Sequence, residues 1–335
     1  IADSIGAAKS NEIYFTGGGS ESDNWALKSA AFGLRDKGNH IITTKIEHHA
    51  ILNTCAYLEK NGFEITYLDV DSKGFVSLED VENAITEKTI LISVMFANNE
   101  IGTIEPVREI GEIAHKHGIL FHTDAVQAMC HVPINVTEMN IDLLSASAHK
   151  FHGPKGVGFM YMKNTAKLEP FIHGGAQERA RRAGTSNVPG IVGMGQAVKL
   201  ALSTLDKDTH TIINMRNYIV DRILGEIPDV TFDGPCIDAN ADVNAVSVGL
   251  PMCSLKRLPS NMHFCFKDVS GDSLLIMLDM NGICASSGSA CAAGSIDPSH
   301  VLLAIGRSKG ETKGALRLSI DKDLTKEDAD YAIDA

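Results

Sequence analysis

An α/β fold, with a mainly parallel sheet in a large first domain and a smaller α+β domain after it, is what three observations on this chain predict. Short apolar runs at 12–16, 41–44, 64–68, 90–96, 119–123, 141–145 and 158–162 read as strands. Amphipathic helical patterns at 22–32, 50–60, 77–84 and 107–117 fall between most of them, the signature of βαβ units. Around residues 204–211 that alternation stops, and a helical stretch at 212–227 leads into shorter strand patterns at 230–232, 246–248 and 261–266. The expected division is residues 1–205 for the large domain and 206–335 for the small one.

Composition narrows the function classes. With 335 residues, 44% hydrophobic and 21% charged, the chain can bury a large core and behaves as an ordinary globular protein. A net charge of -12 with no basic block argues against direct nucleic-acid binding. Seven cysteines, an odd number without a Cys-x-x-Cys pair, fit neither a disulfide framework nor a zinc site, so no metal is expected and the reducing cytoplasm is the expected compartment. No uninterrupted apolar run approaches a membrane span, and residues 1–10 lack a signal pattern.

Open α/β sheets place their chemistry at the carboxyl ends of the strands, so the residues after each run are taken in order. After 12–16 come Gly17, Gly18, Gly19 and Ser20, ahead of a helix. Such a turn can aim backbone N–H groups at a phosphate, with Ser20 as the helix cap, or it can be a plain capped glycine turn. Neither Gly-x-Gly-x-x-Gly nor a Walker loop is present, which disfavours nucleoside triphosphates. After 41–44 stand Glu47, His48 and His49; an imidazole there can stack on an aromatic cofactor and move protons, or simply face solvent at a helix start. After 90–96, Asn98 and Asn99 offer amides for a phenolic oxygen, or form a turn.

The run 119–123 delivers Asp124, with Gln127 three residues on. A carboxylate at a buried strand end needs a cation, and a pyridinium nitrogen would serve, favouring the protonated ring by about one to three pKa units. The alternative is a helix N-cap. The apolar run 141–144 feeds into Ser145, Ser147, His149 and Lys150, and then a backbone turned by Gly153, Pro154, Gly156 and Gly158. A partly desolvated Lys150 amine can condense with an aldehyde; a solvated lysine at a polar junction is the bland alternative.

Together these are the requirements of pyridoxal 5'-phosphate: Lys150 for the aldehyde, Asp124 for the ring nitrogen, His48 for the ring face, and Gly19, Ser20, Ser147 and His149 for the phosphate. The runs 19–24, 47–50, 98–102, 122–127, 149–158 and 286–291 resemble a cysteine desulfurase of the class V aminotransferase-like group, over nearly the whole chain. The Ser-Ser-Gly-Ser-Ala-Cys motif ending at Cys291 resembles the branch with a long catalytic loop. The resemblance implies the fold type I architecture of pyridoxal phosphate enzymes, with a seven-stranded large domain, a small C-terminal domain carrying the cysteine loop, and a homodimer. It implies Asn99 and Gln127 as ligands of the ring oxygen, with Asn99 also near the substrate. It further implies that Thr185 reaches the neighbouring subunit's cofactor phosphate and that Arg317, within 315–320, clamps the substrate carboxylate.

The loop 286–294 holds no large apolar side chain, so it is expected to be mobile and Cys291 solvated and reactive. Cys55, Cys130, Cys265 and Cys284 sit among apolar neighbours and read as packing residues. The implied reaction takes L-cysteine to alanine, with Lys150 and His48 moving protons and Cys291 accepting sulfur as a persulfide. That sulfur would pass to an acceptor protein for iron-sulfur cluster assembly or tRNA thiolation. Members of this group carry, ahead of the position of Ile1, a segment with a Leu-Asp-Asn-Ala-Ala-like motif, and they continue further beyond Ala332. Gly18 and Gly19 replace chiral residues usual in that loop, which predicts extra flexibility. A selenocysteine lyase, another class V aminotransferase-like enzyme, and an inactive sulfur-relay or scaffold-binding subunit are the rival readings.

Overall fold

A computed structural model describes residues 1–166, 168–237, 255–287 and 298–335. The strand expected at 246–248 and Cys291, with most of its loop, lie outside the described residues. The chain divides into two compact units. One comprises Ile1–Asp69, Val76–Ala97 and Glu105–Thr204; the other comprises Val70–Phe75, Asn98–Ile104 and Leu205–Ala335.

In the first unit the elements run β1 (Ile13–Thr16), α1 (Gly19–Gly33), β2 (His40–Thr44), α2 (His49–Lys60), β3 (Glu64–Leu68), α3 (Leu78–Asn83) and β4 (Thr89–Ser93). They continue with α4 (Val107–Lys116), β5 (Leu120–Asp124), β6 (Leu143–Ser147), β7 (Gly158–Met162), the short α5 (Gln177–Ala180) and the start of α6 (Val188–Glu226). All seven expected strands are present, in the order β1-β7-β6-β5-β4-β2-β3. From β6 through β3 the neighbours are parallel, and β7 runs antiparallel to both β1 and β6. Strands β2, β4, β6 and β7 are buried at every position, as expected of a sheet covered on both faces. Trp25 and Leu27 of α1 and Ile51 and Leu58 of α2 pack with Ile41, Leu91 and Leu143 of the strands, and burying each such side chain contributes roughly 1.5–3 kcal/mol.

Strand register decides which loops meet. Thr16 pairs with Gly158, Gly158 with Ser147, and Ser145 with Asp124. The carboxyl ends of β1, β6 and β5 are thereby aligned along one edge of the sheet.

The second unit holds β8 (Val230–Phe232), β9 (Asn261–Phe266), α7 (Gly271–Met280), α8 (His300–Ala304), β10 (Ala315–Ser319) and α9 (Lys326–Asp334). Its antiparallel sheet has the order β10-β9-β8. Met262 and Phe264 of β9 face a core with Ile219, Val220 and Ile223 of α6 and Ala329 of α9. Alternation along β9 therefore turns Asn261, His263 and Cys265 to the opposite face.

One expectation changes in α6. The stretch 204–211, where the sequence pattern shifts, lies within α6, which is continuous over 39 residues. Hydroxyls of α6 bond back to the helix's own carbonyls, Ser203 Oγ to Leu200 O at 2.7 Å and Thr211 Oγ1 to Lys207 O at 3.2 Å. By length and composition α6 is also long and apolar enough to cross a membrane, among the described residues the one helix that is, and 17% of its most apolar window is buried. No uninterrupted apolar run marks it in the sequence, because Gln196 and Lys199 interrupt the apolar residues.

Candidate active site

The glycine loop sits where β1 ends. Gly18, at φ +153°, is the N-cap of α1 and the helix starts at Gly19, so Ser20 lies in the first turn, exposed, and does not cap. The loop is held from beneath: Thr16 Oγ1 and Ser22 Oγ are 2.8 Å apart, and Ser22 Oγ donates to Phe159 O at 3.1 Å. Glu21 Oε2 accepts from Gly17 N at 2.8 Å, and both Glu21 oxygens take Arg182, at 2.8 and 3.0 Å. Sequence reasoning missed this ion pair, since its partners are 161 residues apart. A Cβ on Gly19 would stand 2.5 Å from Val126 Cγ2 and 3.7 Å from Ser147 Cβ. Gly19, Val126 and Ser147 are therefore packed side by side.

Ser147 Oγ lies 2.9 Å from His149 Nδ1. Burial, then the charges of Lys150 and Lys155, hold the His149 imidazole below its usual pKa and hence neutral. A neutral imidazole, a hydroxyl and the first-turn N–H groups of a 15-residue helix form an uncharged donor set suited to a phosphate.

Asp124 ends β5 and is 5% exposed. Its Oδ1 accepts from Val126 N at 2.9 Å, an Asx-type turn rather than the N-cap of a regular helix. Burial pushes its carboxyl up to about 6, against the lowering effects of the Val126 N–H and of the Lys150 charge. Behind it lies a buried polar network that the sequence did not reveal. His122 Nδ1 is 2.9 Å from Ser93 Oγ and its Nε2 is 3.0 Å from Ser145 Oγ, with Asp23 Oδ1 at 3.8 Å. Burial drops His122 to about 3, so the ring is neutral. Asp23 is held well above the carboxylate range by burial and next by Asp124. Its Oδ1 has no hydrogen-bond partner among the described residues. Three buried acids, Asp23, Glu47 and Asp124, thus raise one another or are raised by burial. Asp124 is the one with a nearby positive charge, and a ring cation would be its natural counter-ion.

His48 is the N-cap of α2: its Nδ1 accepts from Ala50 N at 3.1 Å, which leaves Nε2 as the protonated nitrogen of the neutral ring. The ring is half-buried and lies 6.4 Å from that of His49, edge-on. Lys150 sits in the 3-10 turn Ala148–Phe151 after β6 and is exposed, where the sequence led to an expectation of partial desolvation. Its main-chain O takes His131 Nε2 at 2.9 Å, which fixes the turn. Gln127 is half-buried in the turn after Asp124, and Thr185 is exposed after Gly184, whose φ is +112°.

The remaining candidates belong to the second unit. Arg317 Nη1 donates to Asn99 O at 2.9 Å. Beside these, Asn98 Oδ1 accepts from Glu100 N and Ile101 N, so Asn98 is the turn former. Arg317 and Ser286 exchange main-chain hydrogen bonds at 2.6 and 3.2 Å, which ties the start of the cysteine loop to β10. Cys55, Cys130 and Cys265 are buried, but Cys284 is exposed, because the turn after α7 leaves it at the surface while Ile283 is half-buried.

Residues 1–332 match the family model for aminotransferase class-V. A curated cysteine desulfurase IscS from Clostridium botulinum is 54% identical over 327 residues, covering 98% of this chain and 78% of that protein. One from Methanosarcina thermophila is 51% identical, covering 99% and 78%. Among solved structures, a NifS-like protein aligns with TM-score 0.87 at 36% identity, covering 99% of this chain and 83% of its own. SspA in complex with cysteine aligns at 0.76 and 37%, covering 97% and 85%.

Proposed function

The chain belongs to the aminotransferase class-V family and is a cysteine desulfurase, and from that premise we propose how its residues divide the work. The observation that carries the reading is Asp124, a buried carboxyl at a strand end held high by burial and placed to receive a cation. The cofactor proposed is pyridoxal 5'-phosphate, which supplies a protonated ring able to stabilise negative charge at the Cα of a bound amino acid. Asp124 would hold the ring nitrogen, His48 the ring face, and Asn99 and Gln127 the ring oxygen. Gly19, Ser20, Ser147 and His149 bind the phosphate. The tight packing of Gly19 against Val126 and Ser147 supports this seat, since it brings the first turn of α1 up against Ser147.

Lys150 Nζ holds the cofactor at rest and takes the Cα proton of L-cysteine. His48 moves protons through Nε2, because its Nδ1 is engaged by Ala50 N. Arg317 grips the substrate carboxylate. The Cys291 thiolate attacks the substrate sulfur, the C–S bonding electrons remain with the three-carbon skeleton, and protonation yields alanine and a persulfide on Cys291. A sulfur-acceptor protein, an iron-sulfur scaffold or a tRNA-thiolation protein, then collects the sulfur. The assembly proposed is a homodimer in which Thr185 reaches the partner's cofactor phosphate, and the compartment is the cytoplasm. The free thiols of Cys55, Cys130, Cys236, Cys265 and Cys284 fit a reducing environment.

The test is turnover of L-cysteine by purified protein supplied with the cofactor and a thiol reductant. Alanine and sulfide in equal amounts are expected. A keto acid in place of alanine would contradict desulfuration, and turnover confined to selenocysteine would move the activity to a selenocysteine lyase.

A further inference from the structure

Two features of the chain lie outside the roles proposed so far. In the second unit Asp233, His263 and Cys265 bring one ligand atom each within 4.8 Å of one another, as a metal site would. Arg307 already pairs with Asp233 at 2.6 Å, however, so a divalent cation would enter against a guanidinium charge. The segment 177–184, in the first unit, carries more.

Sheet order leaves β1 at an edge, and this segment closes that edge with its side chains. Glu178 Oε2 accepts from Phe15 N at 3.1 Å. Arg179 Nη2 donates to Ile13 O at 2.6 Å, with its guanidinium 4.1 Å from the centre of the Tyr14 ring. Glu178, Arg179 and Ala180 stand at φ +45°, +58° and +60°, three consecutive non-glycine residues in the left-handed region. Such a run is costly and persists only where its surroundings hold it. The holding contacts are on β1, the strand that leads into Gly17. Further along, Arg182 makes a two-point fork on Glu21, whose Oε2 also accepts from Gly17 N. Ala183 N donates to Ile172 O at 3.0 Å and Gly184 N to Gln177 Oε1 at 3.2 Å, so the backbone is fixed up to the residue before Thr185. One carboxylate thus joins the glycine turn to the segment that ends at Thr185.

We propose that Glu21 and Arg182 are positioning residues for both phosphate seats of the dimer: the Glu21 carboxylate holds the glycine turn for this subunit's cofactor and, through Arg182, holds Thr185 for the partner's. The inference rests on the reading of Gly19, Ser20 and Thr185 as phosphate contacts. Charge alone would work the other way, since a carboxylate in the first turn of α1 repels a phosphate dianion. Position and charge therefore give opposite signs when that carboxylate is made neutral.

The experiment titrates the full-length, cofactor-free protein with pyridoxal 5'-phosphate and, separately, with pyridoxal, which condenses with the same lysine but has no phosphate; ring absorbance reads the binding. Glu21→Gln keeps an oxygen for Gly17 N and removes the charge and the fork. Affinity for pyridoxal 5'-phosphate is expected to fall about tenfold, the worth of one charge-assisted hydrogen bond, and that for pyridoxal to stay within about twofold. Thr185→Ala should cost about threefold. The double variant should lose clearly less than the product of the two, about thirtyfold, because Glu21 acts in part through Thr185. If Glu21→Gln does not accumulate as folded protein, Arg182→Lys, which keeps the charge but not the fork, carries the same prediction at about threefold. Unchanged or tighter binding of pyridoxal 5'-phosphate in the folded variant, an equal loss for pyridoxal, or fully multiplicative costs overturns the positioning role alone. A wild type that binds pyridoxal as tightly as pyridoxal 5'-phosphate, or a Thr185→Ala without effect, overturns the phosphate reading and this inference with it.

Discussion

Asp124 shows at the scale of one residue how the site stores free energy for its ligand. Burial lifts its carboxyl from 3.8 to about 6. Between those values the folded chain keeps a proton that the unfolded chain has released, so stability falls as pH rises through that window and stays lower above it, by about 3 kcal/mol at most. Asp124→Asn should therefore make the cofactor-free protein more stable, by a margin that widens between pH 5 and pH 8, as thermal unfolding would record; an equal margin at both would contradict the burial argument. The same variant should lose about a hundredfold or more in kcat, because the ring nitrogen loses its fixed counter-charge. The sequence placed Asp124 at a strand end and so exposed its need for a cation. It could not reveal Asp23, His122 and Ser93 behind it, because each is an ordinary residue in its own segment and only the sheet brings them together.

At the scale of elements, the apolar runs located all seven strands of the large sheet because burial on both faces leaves an unbroken signal. Polar residues carry a weaker signal. Ser20 read as the cap although Gly18 takes that position. The Asp233–His263–Cys265 cluster stayed hidden because Asp233 and His263 are 30 residues apart in sequence. The junction of β1, β6 and β7 gives a paired prediction. A Cβ on Gly158 would stand 2.4 Å from Ala146 O and 2.8 Å from Gly18 Cα, backbone that cannot step aside, so Gly158→Ala should lower stability by about 1–3 kcal/mol in a urea titration. Gly19→Ala would meet the end of the Val126 side chain instead, so the protein should fold near-normally and bind the cofactor about tenfold more weakly, through the blocked phosphate seat. Equal cofactor affinity in Gly19→Ala and wild type would remove the glycine loop from the site.

For the whole molecule, a net charge of -12 disfavours direct contact with a phosphate backbone, so sulfur bound for RNA would travel by way of an acceptor protein. The proposed homodimer has its own test. Val188 and Val192, one turn apart on α6, are 60% and 65% exposed, an apolar face suited to a second copy of the chain. Light scattering should give twice the 35.9 kDa chain mass, and Val192→Glu should shift the protein toward monomer at low concentration; a monomeric wild type would remove the role given to Thr185. The central claim, that the reaction ends with sulfur on Cys291, is tested most directly by mass spectrometry of the protein after brief exposure to L-cysteine. Cys291→Ser changes volume and polarity little, so folding and cofactor binding should be retained, but a hydroxyl is a far poorer nucleophile than a thiolate. One added sulfur atom is expected on the peptide containing Cys291 in the wild type, none in Cys291→Ser, and almost no alanine from that variant. Undiminished alanine release from Cys291→Ser, or the added sulfur mapping to Cys284 or Cys253, would contradict it.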